Sequence, residues 1–129
     1  MVTVLKVLVV DDDPAIRLVT KRMLRLMKCE VYEAKDGVEG EAIALELQPD
    51  LVLLDVMMPN QDGYETCIRL RAAGFDRPIL MFSALLRENE RAYALQIGAN
   101  EYLQKPITRE ILSRYLNLDQ YSNASASVS

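Results

Sequence analysis

Short, unbroken aliphatic runs, each ending at a chemically active side chain, constrain this chain more than any other feature. Val7–Val10 runs into Asp11, Asp12 and Asp13, Leu51–Leu54 runs into Asp55, and Ile79–Phe82 ends at Ser83. A weaker run through Tyr102 and Leu103 ends at Lys105-Pro106. Runs this short and continuous read as strands buried on both faces, the pattern of a parallel sheet covered by helices on each side. In such an open sheet the carboxyl ends of the strands share one edge, and ligands bind there. Carboxylates, a hydroxyl and an ammonium group are thereby delivered to a common edge.

Helical patterns fill the intervals. Asp13-Pro14 reads as an N-cap followed by proline at the first helical position, and Ile16, Val19, Met23 and Leu26 then recur at helical spacing to about Lys28. Glu30–Ala34 reads as a short strand, and Asp36-Gly37 turns into a helix that Pro49 stops after Gln48. After Leu51–Asp55 comes a loop of turn formers, Pro59, Asn60, Asp62 and Gly63. Asp50 and Asp62 belong to this turn chemistry. Helices are predicted over Tyr64–Ala73, ending at Gly74, over Leu86–Ile97, capped by Gly98, and over Thr108–Leu116, with a short strand at Glu101–Leu103. Five strand–helix units in one domain predict an α/β fold: a three-layer, doubly wound (βα)5 sandwich with right-handed crossovers.

With 129 residues, the chain holds one core and no second folded module. Residues 1–121 are expected to form this domain, and residues 122–129, made only of Ser, Asn, Ala and Val, a disordered tail or cut linker. The start lacks the basic lead and apolar core of a signal peptide, and no run approaches the roughly 20 apolar residues of a membrane helix, so the expected location is cytoplasmic. A net charge of −4 argues against a surface dedicated to nucleic acid. Cys29 and Cys67 have no metal-type spacing and read as buried, reduced thiols. Histidine is absent, which removes serine-hydrolase triads, histidine metal sites and any phosphohistidine carried by this chain.

Clustered carboxylates repel, and a bound cation relieves them. An all-oxygen donor set with open positions suits Mg²⁺, which keeps waters and is commonly held by one or two carboxylates plus a phosphate. A nearby lysine and hydroxyl are what a phosphoryl group needs, and a carboxylate can be the nucleophile that forms an aspartyl-phosphate. The residues alone therefore point to Mg²⁺-assisted phosphoryl transfer onto an aspartate. Asp13 fits an N-cap better than a metal ligand.

Val7-Leu8-Val9-Val10-Asp11-Asp12-Asp13, Asp50–Pro59, Phe82-Ser83-Ala84 and Lys105-Pro106 together resemble the signatures of bacterial response-regulator receiver domains. The resemblance runs from about Val4 to Leu116, in order and spacing, and Gly63 and Gly98-Ala99 fit it. It implies the flavodoxin-like strand order 2-1-3-4-5. It also implies Asp55 as phosphoacceptor, with Mg²⁺ held by Asp12, Asp55 and the backbone carbonyl of Met57, and by Asp11 through water. Lys105 would pair with Asp55 at rest and with the phosphoryl group after transfer, and Ser83 would donate a hydrogen bond to a phosphoryl oxygen. Tyr102 stands at the position of the switch aromatic, which turns inward as the hydroxyl moves toward the phosphate. The Lys105-Pro106 bond is expected to be cis.

Departures from the pattern matter too. Met57 and Leu85 are apolar where some members of that family carry polar groups that position water, which predicts slow loss of the phosphoryl group. Ile107 replaces the phenylalanine frequent in DNA-binding members. The implied donor is a sensor histidine kinase or histidine phosphotransfer protein, or a small acyl phosphate; the downstream effector is unspecified. Arg17, Lys21, Arg25 and Lys28 form a basic stripe on the first helix, readable as a docking surface for an acidic partner or as a solvated face balanced by Glu39, Glu41 and Glu46. Mixed charge on the fourth helix, fifth strand and fifth helix (Arg87, Glu88, Glu90, Arg91, Glu101, Arg109, Glu110) permits a symmetric dimer without demanding one. No direct contact with nucleic acid or membrane is expected, and the protein labels itself rather than turning over substrate. A haloacid-dehalogenase-like phosphohydrolase shares a strand-end Asp-x-Asp, but it places its nucleophile after the first strand and needs an acidic pair that is missing after Lys105. A phosphorylation-silent pseudo-receiver scaffold is the other alternative.

Overall fold

The computed structural model describes residues 4–116, and the expected tail at 122–129 lies outside them. Five strands, β1 (Lys6–Val10), β2 (Glu30–Ala34), β3 (Leu51–Asp55), β4 (Ile79–Ser83) and β5 (Glu101–Gln104), alternate with five helices. These are α1 (Pro14–Leu26), α2 (Gly37–Leu47), α3 (Gly63–Ala72), α4 (Glu88–Gln96) and α5 (Arg109–Leu116). All four strand pairings are parallel, in the order β2-β1-β3-β4-β5. Both the α/β class and the strand order agree with the sequence reading.

Because side chains alternate across a strand, each central strand feeds two cores. Leu8, Val10, Val52, Leu54, Ile79 and Met81 pack with Ala44 of α2, Cys67 and Leu70 of α3, and Ala94 of α4. Val7, Val9, Leu51, Leu53, Leu80 and Phe82 pack with Leu24 of α1 and Leu112 of α5. β1 after Lys6, and β3 and β4 before their last positions, carry only apolar residues because neither of their faces meets water.

Local signals behave largely as the spacing predicts. Asp13 caps α1 by accepting from the Ala15 N–H at 2.9 Å, and Asp36 and Asp62 cap α2 and α3 in the same way. Gln48 closes α2 in the left-handed region (φ 53°) before Pro49. Asp50 accepts from the Lys6 N–H at 2.8 Å. The Lys105-Pro106 peptide is cis. Cys67 is buried and Cys29 half-buried, both unbonded to each other.

Three expectations need correction. The apolar row of α1 does not face the sheet along its whole length: Met23 packs against the core, but Val19 and Leu26 are exposed, and Thr20 and Leu24 are the fully buried residues. The helix carries two overlapping apolar stripes, and contact with the sheet selects the one that runs through a polar threonine. The basic stripe is balanced by β2 rather than by α2. Glu33 pairs with Lys21 at 2.8 Å and with Arg17 at 3.4 Å. In addition, α4 starts at Glu88, two residues later than expected, behind Arg87, which makes no side-chain capping bond.

Candidate functional site

Strand register assembles the site. Val10 is level with Leu54, so Asp11 and Asp55 leave their strands side by side. Asp55 is level with Phe82, which puts Ser83 one step beyond it. Ser83 is level with Gln104, and the Lys105 N–H donates to the Ser83 carbonyl at 2.8 Å. Adjacent central strands supply the acids, and the cation arrives from the edge.

Lys105 Nζ lies 2.8 Å from Asp55 Oδ1 and 3.3 Å from Asp11 Oδ2. Asp11 and Asp55 are only 2% and 5% exposed. Asp12 is exposed, yet one carboxylate oxygen from each of Asp11, Asp12 and Asp55 falls within 4.8 Å of the others. Asp11 is held further by the Asp13 N–H at 2.9 Å and by Arg17, whose guanidinium donates to the Asp11 carbonyl at 2.6 Å.

Burial pushes the Asp55 carboxyl up to about 6; the Lys105 hydrogen bond opposes this, and the charges of Asp11 and Asp12 add to it. Burial alone would lower the Lys105 ammonium, but its bonds and charge contacts with Asp55 and Asp11 more than reverse that and raise it. The cluster therefore offers three carboxylates against one ammonium. A divalent cation with oxygen preference fits both the donor set and the charge. Asp11, Asp12 and Asp55 are the side chains that could hold it.

Of the other predicted residues, Ser83 ends β4, Met57 lies in the loop after β3 and Tyr102 lies within β5. Ser83 is buried, with its hydroxyl accepting a long 3.4 Å contact from the Leu85 N–H. Met57, two residues beyond Asp55, is 75% exposed, and Leu85 is also exposed. Tyr102 is 1% exposed and points inward, away from solvent. The loop after Asp55 closes tightly: the Gly63 N–H donates to the Val56 carbonyl at 2.8 Å, and a Cβ at Gly63 would lie 2.3 Å from the Asp55 carbonyl oxygen. Only glycine fits there.

Several contributors escaped the sequence reading. Glu33 anchors Arg17 beside Asp11. Buried Gln61 ties the acceptor loop to α2 and α3, donating to the Gly37 carbonyl at 3.1 Å and to Thr66 Oγ1 at 3.0 Å. Tyr64 and Glu90 meet Tyr102 from α3 and α4. None has a local signature, since each acts across a long sequence interval.

A doubly wound sheet of this order, with acids ending β1 and β3 and a lysine following β5, defines a CheY-like fold. The family model for the response regulator receiver domain matches residues 7–117. This chain belongs to that family, the receiver domains of two-component response regulators. It is 44% identical over 110 residues to the response regulator MprA of Mycobacterium sp. strain KMS, covering 84% of this chain and 48% of that protein. Against the DNA-binding dual master transcriptional regulator RpaA of Synechocystis, identity is 40% over 112 residues, covering 84% of this chain and 46% of RpaA. The signal receiver domain of the putative response regulator NarL from Mycobacterium tuberculosis superposes with a TM-score of 0.84 at 33% identity, covering 90% and 96% of the two chains. The chain thus spans about half the length of the curated relatives it matches. No helix among the described residues is long and apolar enough to cross a membrane.

Proposed function

We propose that this domain is a phosphoacceptor switch in which Asp55 takes a phosphoryl group from a partner's phosphohistidine or from a small acyl phosphate. The observation that carries the reading is Asp55 itself: a buried carboxylate at 2.8 Å from Lys105, inside a cluster with Asp11 and Asp12. In the transfer a carboxylate oxygen of Asp55 forms the new O–P bond as the donor's N–P or O–P bond breaks, and the leaving group retains the electron pair. Lys105 neutralises charge on the incoming group, and Ser83 donates a hydrogen bond to it. Mg²⁺, held by Asp12, Asp55 and the Met57 carbonyl, and through water by Asp11, would supply charge neutralisation at the phosphoryl oxygens. Buried Asp11 and the raised Asp55 carboxyl fit a site that is electrostatically incomplete without a cation.

The donor is a sensor histidine kinase or histidine phosphotransfer protein acting on a cytoplasmic domain. Arg25 and Lys28 stay exposed to meet it, whereas Arg17 and Lys21 are committed to Glu33. The output is a changed protein-interaction face at α4, β5 and α5, which also permits a homodimer. RpaA's DNA binding is that protein's property; in this reading the receiver stretch itself contacts protein rather than nucleic acid. Incubation with acetyl phosphate and Mg²⁺ should give one labile phosphoryl adduct by intact mass, lost in Asp55→Asn and absent with chelator. An adduct that persists in Asp55→Asn, or none with any phosphodonor, overturns the reading and leaves a phosphorylation-silent scaffold.

A further inference from the structure

Tyr64 is the second residue of α3, one step from Gly63, whose N–H is bonded to Val56 beside Asp55. Its ring stacks on that of Tyr102 (centroids 6.3 Å apart, planes 11°) and meets Tyr93 of α4 edge-on at 5.2 Å. The Tyr64 and Tyr102 hydroxyls lie 3.0 Å apart, and each lies 3.5 Å from Glu90 Oε2. Elements 38 and 26 residues from Tyr64 in sequence thus converge on one polar point over a buried ring. Geometry ranks the contacts: 3.0 Å between phenols is a sound hydrogen bond, and 3.5 Å to the carboxylate is marginal. Without the Tyr64 hydroxyl, the Tyr102 hydroxyl would keep only the marginal contact while still buried. Burial first, then the Tyr102 hydroxyl and the Glu90 charge, raise the Tyr64 phenol, so it remains protonated and able to donate.

We propose that Tyr64 is a positioning residue for Tyr102: its hydroxyl holds the Tyr102 ring in the buried orientation and so couples the loop after Asp55 to the α4–β5 face. The inference rests on the phosphoacceptor reading above, in which the inward ring accompanies the phosphorylated state. Losing one net hydrogen bond shifts the ratio of inward to outward rings by roughly three- to tenfold. Linkage then requires up to the same factor in affinity for a ligand that favours the inward state.

The test uses Tyr64→Phe, Tyr102→Phe and the double substitution, with Mg²⁺ and beryllofluoride as the phosphoryl mimic. Tyr64→Phe keeps the stacked ring and deletes only the hydroxyl. Two readouts are expected to move. Carbon-13 ring signals of Tyr102 in the unmodified protein shift toward those of a solvated tyrosine, and beryllofluoride affinity falls by up to roughly tenfold. In the Tyr102→Phe background Tyr64→Phe should leave affinity unchanged, because the bond it removes no longer exists. Unmoved ring signals, or an affinity loss equal in both backgrounds, overturn the proposal and reduce Tyr64 to packing. Should the unsubstituted protein take up no beryllofluoride, the phosphoacceptor reading fails, and the ring signals alone decide whether Tyr64 holds Tyr102.

Discussion

Replacing Asp55 by asparagine should remove the proposed phosphoacceptor and yet make the metal-free protein more stable at neutral pH. Burial outweighs Lys105 and holds the Asp55 carboxyl at about 6 in the folded state, against an ordinary value of 3.8. The folded chain therefore binds this proton more tightly than the unfolded chain. The favourable contribution is whole below the unfolded value and is lost as pH rises through the folded one. A gap of about two units amounts to about 3 kcal/mol of stability forfeited by neutral pH. Asparagine is neutral at every pH, nearly isosteric, and still offers Lys105 an acceptor oxygen. Urea unfolding followed by far-UV circular dichroism, with chelator present, should show Asp55→Asn ahead by about 3 kcal/mol near neutral pH, equivalent to about 10 °C in Tm. The difference should vanish in acid, where both side chains are neutral, and Mg²⁺ should narrow it at neutral pH by favouring the charged carboxylate. Equal stability near neutrality, or a gain that persists undiminished in acid, would refute the claim that Asp55 is held charged against its surroundings.

Glu33, lowered chiefly by its hydrogen bond with Lys21 and further by the charges of Lys21 and Arg17, stabilises the chain above its unfolded value and ceases to as pH falls through the folded one. Glu33→Gln should cost about 0.5–1 kcal/mol near neutral pH after solvent screening, nothing in strong acid, and less in high salt; denaturant titrations at each condition read this. Gly63→Ala forces a Cβ to 2.3 Å from the Asp55 carbonyl oxygen and 2.9 Å from Val56 Cα. Since both obstacles are backbone, the loss should reach about 2 kcal/mol or more, with slowed labelling by acetyl phosphate in a time course. Met57→Asn or Leu85→Glu should shorten the phosphoryl lifetime several-fold by guiding water to the acyl phosphate. A decay of the mass adduct no faster than in the unsubstituted protein counts against the apolar rim as a hydrolysis barrier.

Much of the fold was readable because β1 after Lys6, β3 and β4 are buried on both faces and are written in short unbroken apolar runs. The acids of the cluster were readable for the same reason, since an acid directly after such a run emerges at the edge of the sheet; Lys105 follows the partly buried edge strand β5, a weaker signal. Helix ends followed where a side chain caps them, as at Asp13, Asp36 and Asp62, and slipped at α4, where Arg87 makes no such bond. On α1, Met23 packs on the core while Val19 and Leu26 of the same apolar row are exposed, because periodicity alone does not say which residues of a row meet the sheet. Contacts of Glu33 with Arg17, of Gln61 with Gly37, and of Tyr64 with Tyr102 join residues distant in sequence, and no pattern in either partner announces the other.

The order β2-β1-β3-β4-β5 places the two acid-bearing strands at the centre and leaves Lys105 to arrive after the last strand, across the end of β4. During synthesis, then, the acids emerge early and the ammonium that balances them comes only once β5 has docked. Until that moment a nascent domain carries its clustered carboxylates without their counter-ion. A protein truncated before residue 101 would retain Asp11, Asp12 and Asp55 and lose Lys105, leaving two buried carboxylates without the ammonium that bridges them.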